Sequence, residues 1–155
     1  MHSVAEHIRA WMVAHGKTLS TAESCTSGRI AAKLTSVSGA SKYFQGGVVA
    51  YQDELKIRFL GVKTDTIQQH DVVSREVVEQ MVLGSIELFH TDYAIASTGY
   101  TGSGVNGIAA GTVWIGWGSK DDVQTCCLSG DLGREENTER AAHTAIERFE
   151  KFVVE

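Results

Sequence analysis

The sequence predicts a single three-layer α/β/α domain around a mixed β-sheet. Three patterns predict it. Short apolar runs alternate with helix-period stretches through the first half of the chain. Two strand-like runs then sit either side of a turn at Gly118-Ser119-Lys120-Asp121. A long amphipathic stretch closes the chain. In such a fold a ligand is expected in a crevice at the carboxyl ends of the strands.

Each element has a local reason. Val4, Ile8, Trp11 and Met12 make an apolar stripe over residues 3–15, with Ser3 and Glu6 as a capping box and Gly16 as the stop. Residues 17–23 read as a strand and 26–35 as a helix with Ile30, Ala31 and Leu34 on one face. Residues 37–41 form a turn. Residues 43–51 suit a strand in which Gly46-Gly47 marks a bulge or a close backbone approach. A short helix covers 53–60, stopped by Gly61, and another helical turn covers 65–70. Ser74 caps a long helix to about His90. Residues 92–97 are a strand, 99–107 a glycine-rich loop, 111–117 and 122–128 the hairpin strands, and 135–153 the closing helix.

Composition narrows the function. The 155 residues carry 14 Lys+Arg against 19 Asp+Glu, a net charge of −5, with no basic cluster, which argues against nucleic-acid binding. No apolar run approaches the length of a membrane span. The first 15 residues alternate apolar and polar, unlike a signal peptide. Three cysteines form no disulfide framework, so the expected location is the cytoplasm. The 16 glycines and the absence of proline leave the turns to Gly, Asn, Asp and Ser. The six histidines are scattered without H-x-x-x-H spacing, so no metal site is indicated. Cys126 and Cys127 point to opposite faces of their strand, as do Trp114 and Trp117.

Three segments carry groups capable of chemistry. Thr21-Ala22-Glu23-Ser24-Cys25-Thr26-Ser27-Gly28 lies where a strand passes into a helix, and six of its eight residues are polar or reactive. Ser24 or Cys25 there is a candidate nucleophile beside backbone N–H groups; on spacing alone, the commoner reading is that Ser24 or Thr26 is an ordinary helix cap. Tyr51 ends a strand and Lys56 lies in the next helix, both able to face the same crevice. Lys56 serves as a base only if burial lowers its pKa; otherwise it is a solvated helix residue. Gly99-Tyr100-Thr101-Gly102-Ser103-Gly104 is either a phosphate-cradling loop or a plain glycine loop, since it lacks the G-x-x-x-x-G-K-[ST] pattern.

Together these residues resemble the C-terminal domain family of the competence/damage-inducible protein CinA. The resemblance rests on Thr21-Ala22-Glu23-Ser24-Cys25-Thr26-x-Gly28, the turn Gly39-Ala40-Ser41, the strand Gly46 to Tyr51, Glu54-Leu55-Lys56 and Leu60-Gly61-Val62. Val73-Ser74, Asp92-Tyr93-Ala94 and Gly111-Thr112-Val113-Trp114 extend it over about residues 5–150, and Ser24 and Lys56 stand 32 residues apart. The resemblance implies an α/β/α sandwich, a homo-oligomer, and hydrolysis of the carboxamide of nicotinamide mononucleotide to nicotinate mononucleotide and ammonia, without metal or cofactor. It implies Ser24 as nucleophile, Lys56 as base, Tyr51 as orienting or proton-relaying group, and N–H groups around Cys25 to Gly28 for the oxyanion. Glu23, Cys25, Thr26, Gly28, Gly99, Tyr100, Thr101, Gly102, Arg134 and Arg140 are then expected around the substrate.

The chain also departs from the family pattern. The usual G-x-A-G-P reads Gly99-Tyr100-Thr101-Gly102-Ser103, with a bulky Tyr100 and no proline. The usual G-D-R reads Gly130-Asp131-Leu132, so a phosphate-binding arginine would have to be Arg134 or Arg140. Ser27 replaces a glycine, and prolines are missing at Ser38, Glu76 and Ala110. Two alternatives therefore stay open beside the amidase: a non-catalytic nucleotide-binding or regulatory paralogue, and an amidase for another small amide.

Overall fold

The computed structural model describes residues 3–154. Helix α1 (Val4–His15) starts where Ser3 accepts the Glu6 N–H and ends at Gly16 in the left-handed conformation. Strand β1 (Leu19–Glu23) is buried along its whole length. It is followed by α2 (Arg29–Leu34), a 3-10 turn (Ala40–Lys42) and β2 (Phe44–Val49). Helices α3 (Asp53–Leu60), α4 (Thr64–His70) and α5 (Arg75–Phe89) come next, with Ser74 capping α5 by accepting the Val77 N–H. Strands β3 (Tyr93–Tyr100), β4 (Thr112–Ser119) and β5 (Asp122–Leu128) and helix α6 (Arg134–Val154) complete the chain.

The strand order is β2-β1-β3-β4-β5. β1 runs parallel to both β2 and β3, and β4 and β5 continue antiparallel, so the sheet is mixed. From β1 the chain crosses through α2 to β2 on one side; from β2 it returns through α3, α4 and α5 to β3 on the other. The strand order therefore reverses at β1, which opens a crevice at its carboxyl end.

Side chains alternate across the sheet and build two cores. Leu19, Ile95, Ile115 and Trp117 meet Ile8, Met12, Ile30 and Phe149 of α1, α2 and α6. Ala22, Ala94 and Ala96 meet Val77, Val78, Met81 and Val82 of α5, with Leu60 of α3. The second core is made of smaller groups, which draws α5 close: a Cβ on Gly116 would lie 3.0 Å from Val82, and one on Gly84 would run into the Leu60 carbonyl. α3 is thereby seated directly on α5. Trp117 and Trp114 join opposite cores, and Cys126 packs inward while Cys127 is exposed.

Three boundaries differ from the sequence expectation. α2 begins at Arg29 rather than residue 26, because the Glu23 carboxylate accepts the Gly28, Ile30 and Ala31 N–H groups and holds 24–28 as a turn. β3 runs on to Tyr100, so Gly99 and Tyr100 are strand rather than loop; pairing with Thr112 and Val113 of β4 overrides the glycine signal. The hairpin strands pair through Ser119 and Asp122, leaving a two-residue turn. At Gly46-Gly47 both readings hold: the β1–β2 register slips by one residue beside Gly46, and a Cβ on Gly47 would strike Thr21 Oγ1.

Candidate active site

The turn after β1 is organised by a buried carboxylate. Glu23 is 1 % exposed and points towards α2. Its Oε1 accepts Thr26 Oγ1–H at 2.6 Å, Gly28 N–H at 3.2 Å and Ile30 N–H at 2.9 Å; its Oε2 accepts Ala31 N–H at 3.0 Å. The charge so placed at the start of α2 complements the helix dipole. Thr26 Oγ1 also lies 2.7 Å from Ser97 Oγ, which accepts the Ser24 N–H at a long 3.4 Å. Glu23, Thr26 and Gly28, expected around the substrate, thus shape the turn from behind and do not line the cavity. Ser27 N–H donates to the Ser24 carbonyl, and Arg29 N–H to the Thr26 carbonyl. Of the N–H groups from Cys25 to Gly28, those of Ser27 and Gly28 are thus engaged within the turn.

Ser24 and Lys56 line one cavity of about 160 Å³, together with Cys25, Tyr51, Asp53, Val72, Val73, Thr98, Gly99 and Tyr100. Lys56 is 2 % exposed. Its Nζ donates to the Tyr51 carbonyl at 3.0 Å and sits 3.9 Å from Asp53 Oδ1. Burial pulls its pKa below the usual lysine value, against the raising influence of the Asp53 carboxylate. Tyr51 therefore orients Lys56 through its main chain, while its ring stands half in solvent at the mouth. Burial pushes the Cys25 thiol up to about 12, so it stays protonated and Ser24 is the better candidate nucleophile.

The opposite wall is Tyr100. Its hydroxyl donates to Asp71 Oδ2 at 2.8 Å, and both burial and that partner raise its pKa. Asp71 also accepts Val73 N–H at 2.9 Å and Asn106 Nδ2–H at 3.1 Å. Partial burial disfavours the Asp71 charge, but these donors outweigh it and hold the carboxyl below its ordinary value.

Cys25 and Tyr51 also border a second lobe of about 100 Å³, lined by Ser27, Arg29, Thr101, Arg134, Glu135 and Thr138. Arg134 packs over Gly102, where any side chain would displace its guanidinium. Arg140 is elsewhere: it donates to the Ser129, Gly111 and Gly130 carbonyls at 2.9–3.1 Å and clamps two loops together. The anion-binding candidate of the pair is therefore Arg134. A larger groove of about 470 Å³ lies by α1, α2 and α6, but the charged groups on it are already paired, Lys33 with Glu139 and His143 with Glu147.

Sequence reasoning missed Asp53, Ser97, Thr98, Val72, Val73 and Arg29. Asp53 was within reach of it, standing one helical turn before Lys56. Ser97 carried no local signal, because it meets Ser24 across 73 residues of chain. Among the described residues no group of three or more His, Cys, Asp or Glu is placed to hold a metal ion, and no helix is long and apolar enough to cross a membrane.

This geometry can be set beside known proteins. The model of the CinA C-terminal domain matches residues 1–153. The chain belongs to the CinA C-terminal domain family. A CinA-like protein of Shewanella piezotolerans is 43% identical over 123 residues, covering 78% of this chain and 29% of that protein. This chain thus spans about a third or less of the length of such CinA-like relatives. The nicotinamide-nucleotide amidohydrolase PncC of Escherichia coli K12 is 33% identical over 153 residues, covering 94% of this chain and 93% of the relative. The crystal structure of the competence damage-inducible protein A from Klebsiella pneumoniae superposes with a TM-score of 0.91 at 32% identity, over 96% of this chain and 93% of that one. The α/β/α architecture with a five-stranded mixed sheet is the fold of the CinA superfamily.

Proposed function

We propose that this member of the CinA family is an amidohydrolase acting on the carboxamide of nicotinamide mononucleotide, with Ser24 as nucleophile and Lys56 as base. The observation that carries the reading is a buried lysine, its pKa lowered, lining the same small cavity as a serine at the end of β1. Full-length likeness to a nicotinamide-nucleotide amidohydrolase supports the substrate.

Neutral Lys56 takes the proton of Ser24 Oγ as the oxygen attacks the carboxamide carbon. The N–H groups of Cys25 and Thr26 stabilise the oxyanion. Lys56 returns the proton to the amide nitrogen, the C–N bond breaks, and ammonia leaves an acyl-Ser24. Water then gives a proton to Lys56 and attacks the acyl carbon; the C–O bond breaks, Ser24 is reprotonated, and the carboxylate product departs. Tyr51 keeps Lys56 aimed through its carbonyl. Arg134, in the lobe beyond Cys25, faces the phosphate of the nucleotide; Arg29 beside it is paired with Glu135.

Ammonia release from nicotinamide mononucleotide tests the reading, with Ser24→Ala alongside. Release by the parent and a loss of about 10³-fold or more in the variant is the expected result. Full activity in Ser24→Ala would overturn the nucleophile. No release by the parent would favour a nucleotide-binding paralogue. One observation favours a different substrate, a small amide without the phosphate: Tyr100 narrows the cavity wall. A panel of amides with and without a phosphate separates the two.

A further inference from the structure

Ser97 is completely buried in β3 and takes no part in the reaction as written. Its surroundings give its hydroxyl a direction. All four groups that meet the Glu23 oxygens are donors, one of them the Thr26 hydroxyl at 2.6 Å. The Thr26 proton is therefore committed to Glu23, and Thr26 Oγ1 meets Ser97, 2.7 Å away, with a lone pair. Ser97 O–H must donate to it. What Ser97 has left is acceptor capacity, which the Ser24 N–H, 3.4 Å away, shares with the neighbouring Cys25 thiol. The hydrogen bonds thus run one way, from the Ser24 N–H through Ser97 and Thr26 to Glu23. Every side chain in the series is at most 1 % exposed, so no water substitutes for a missing member.

We propose that Ser97 is a positioning residue for Ser24: held as an acceptor by Thr26 and Glu23, it pins the main chain at Ser24, keeps the serine side chain in the cavity, and leaves the Cys25 and Thr26 N–H groups to the oxyanion. The inference rests on Ser24 being the nucleophile. It gives Glu23 and Thr26, which do not reach the cavity, a part in the same site.

The test compares the full chain with Ser97→Ala, Thr26→Val and the double variant. Residue-resolved amide hydrogen exchange reads the pinning without any substrate. Ser24 exchange should quicken about fivefold or more in each single variant, with Ile95 in the same sheet unchanged. Ammonia release should show kcat down about tenfold with KM within about twofold, and the double variant no worse than the single ones, because both break one series. Unchanged Ser24 exchange in the single variants, or losses that multiply in the double, would overturn the proposal. A parent that hydrolyses the amide while kcat of Ser97→Ala equals its own removes the inference and keeps the amidase. A parent without hydrolysis but with the quickened Ser24 exchange removes the amidase and keeps the pinning.

Discussion

The two walls of the cavity are held by different physics. On the side of the β1–α2 turn, Glu23, Thr26 and Ser97 are sealed from water, and each polar group is answered by another buried one. On the side of Tyr100, the hydroxyl, Asp71 and the exposed Asn106 meet at 2.8 and 3.1 Å with solvent at hand. A member lost from the first wall orphans its neighbours in a low dielectric; a member lost from the second is replaced by water.

The sharpest way to break this contrast is to remove one carboxylate from each wall. Glu23→Ala orphans three N–H groups and a hydroxyl, so urea unfolding should show a loss of roughly 3 kcal/mol or more. Asp71→Ala should cost under about 1 kcal/mol, as half-exposed partners do. Equal losses would mean that the walls do not differ.

A second prediction concerns pH. Burial lowers the Lys56 pKa from the usual 10.5, and the Asp53 carboxylate raises it. A neutral base makes activity rise with pH through that lowered value. Asp53→Asn removes the raising influence, so the limb in kcat/KM should move to lower pH; a shift upward would contradict the assignment of Lys56 as base. Stability has the same sign. Between the lowered value and 10.5 the unfolded chain binds the lysine proton and the folded chain does not, so stability rises with pH across that window.

The smallest effect is expected at Tyr100→Phe, which deletes only the hydroxyl bonded to Asp71. It should leave kcat within about threefold and change KM by no more than about fivefold, about 1 kcal/mol. A hundredfold loss of kcat would place the Tyr100 hydroxyl among the reacting groups.

Much of the fold was legible because its signals are local. Ser3, Gly16, Gly61 and Ser74 mark helix ends by capping chemistry, and each does so in the structure. Ser24 and Lys56 were legible as a pair from their motifs, and they do share a cavity. What sequence could not show depends on contacts between distant segments. The late start of α2 follows from a side chain that reaches forward from β1, and β3 continues through Gly99 only because β4 is there to pair with it. The choice of Arg134 over Arg140 turns on which loop carbonyls Arg140 can reach. Glu23 was expected around the substrate as part of the motif that includes Ser24; alternation along the strand turns it to the other face.

The strand order has a consequence for synthesis. β1, β2 and α3 emerge early and carry both Ser24 and Lys56, yet the free edge of β1 is closed only by β3. Ser97 follows Ser24 by 73 residues, about 4–15 s of ribosome time. Through that interval the nascent chain holds Ser24 and Lys56 with neither the wall of their cavity nor the anchor of their turn. On the proposed function, activity cannot precede the arrival of β3, and a truncated chain ending before it is expected to be inert.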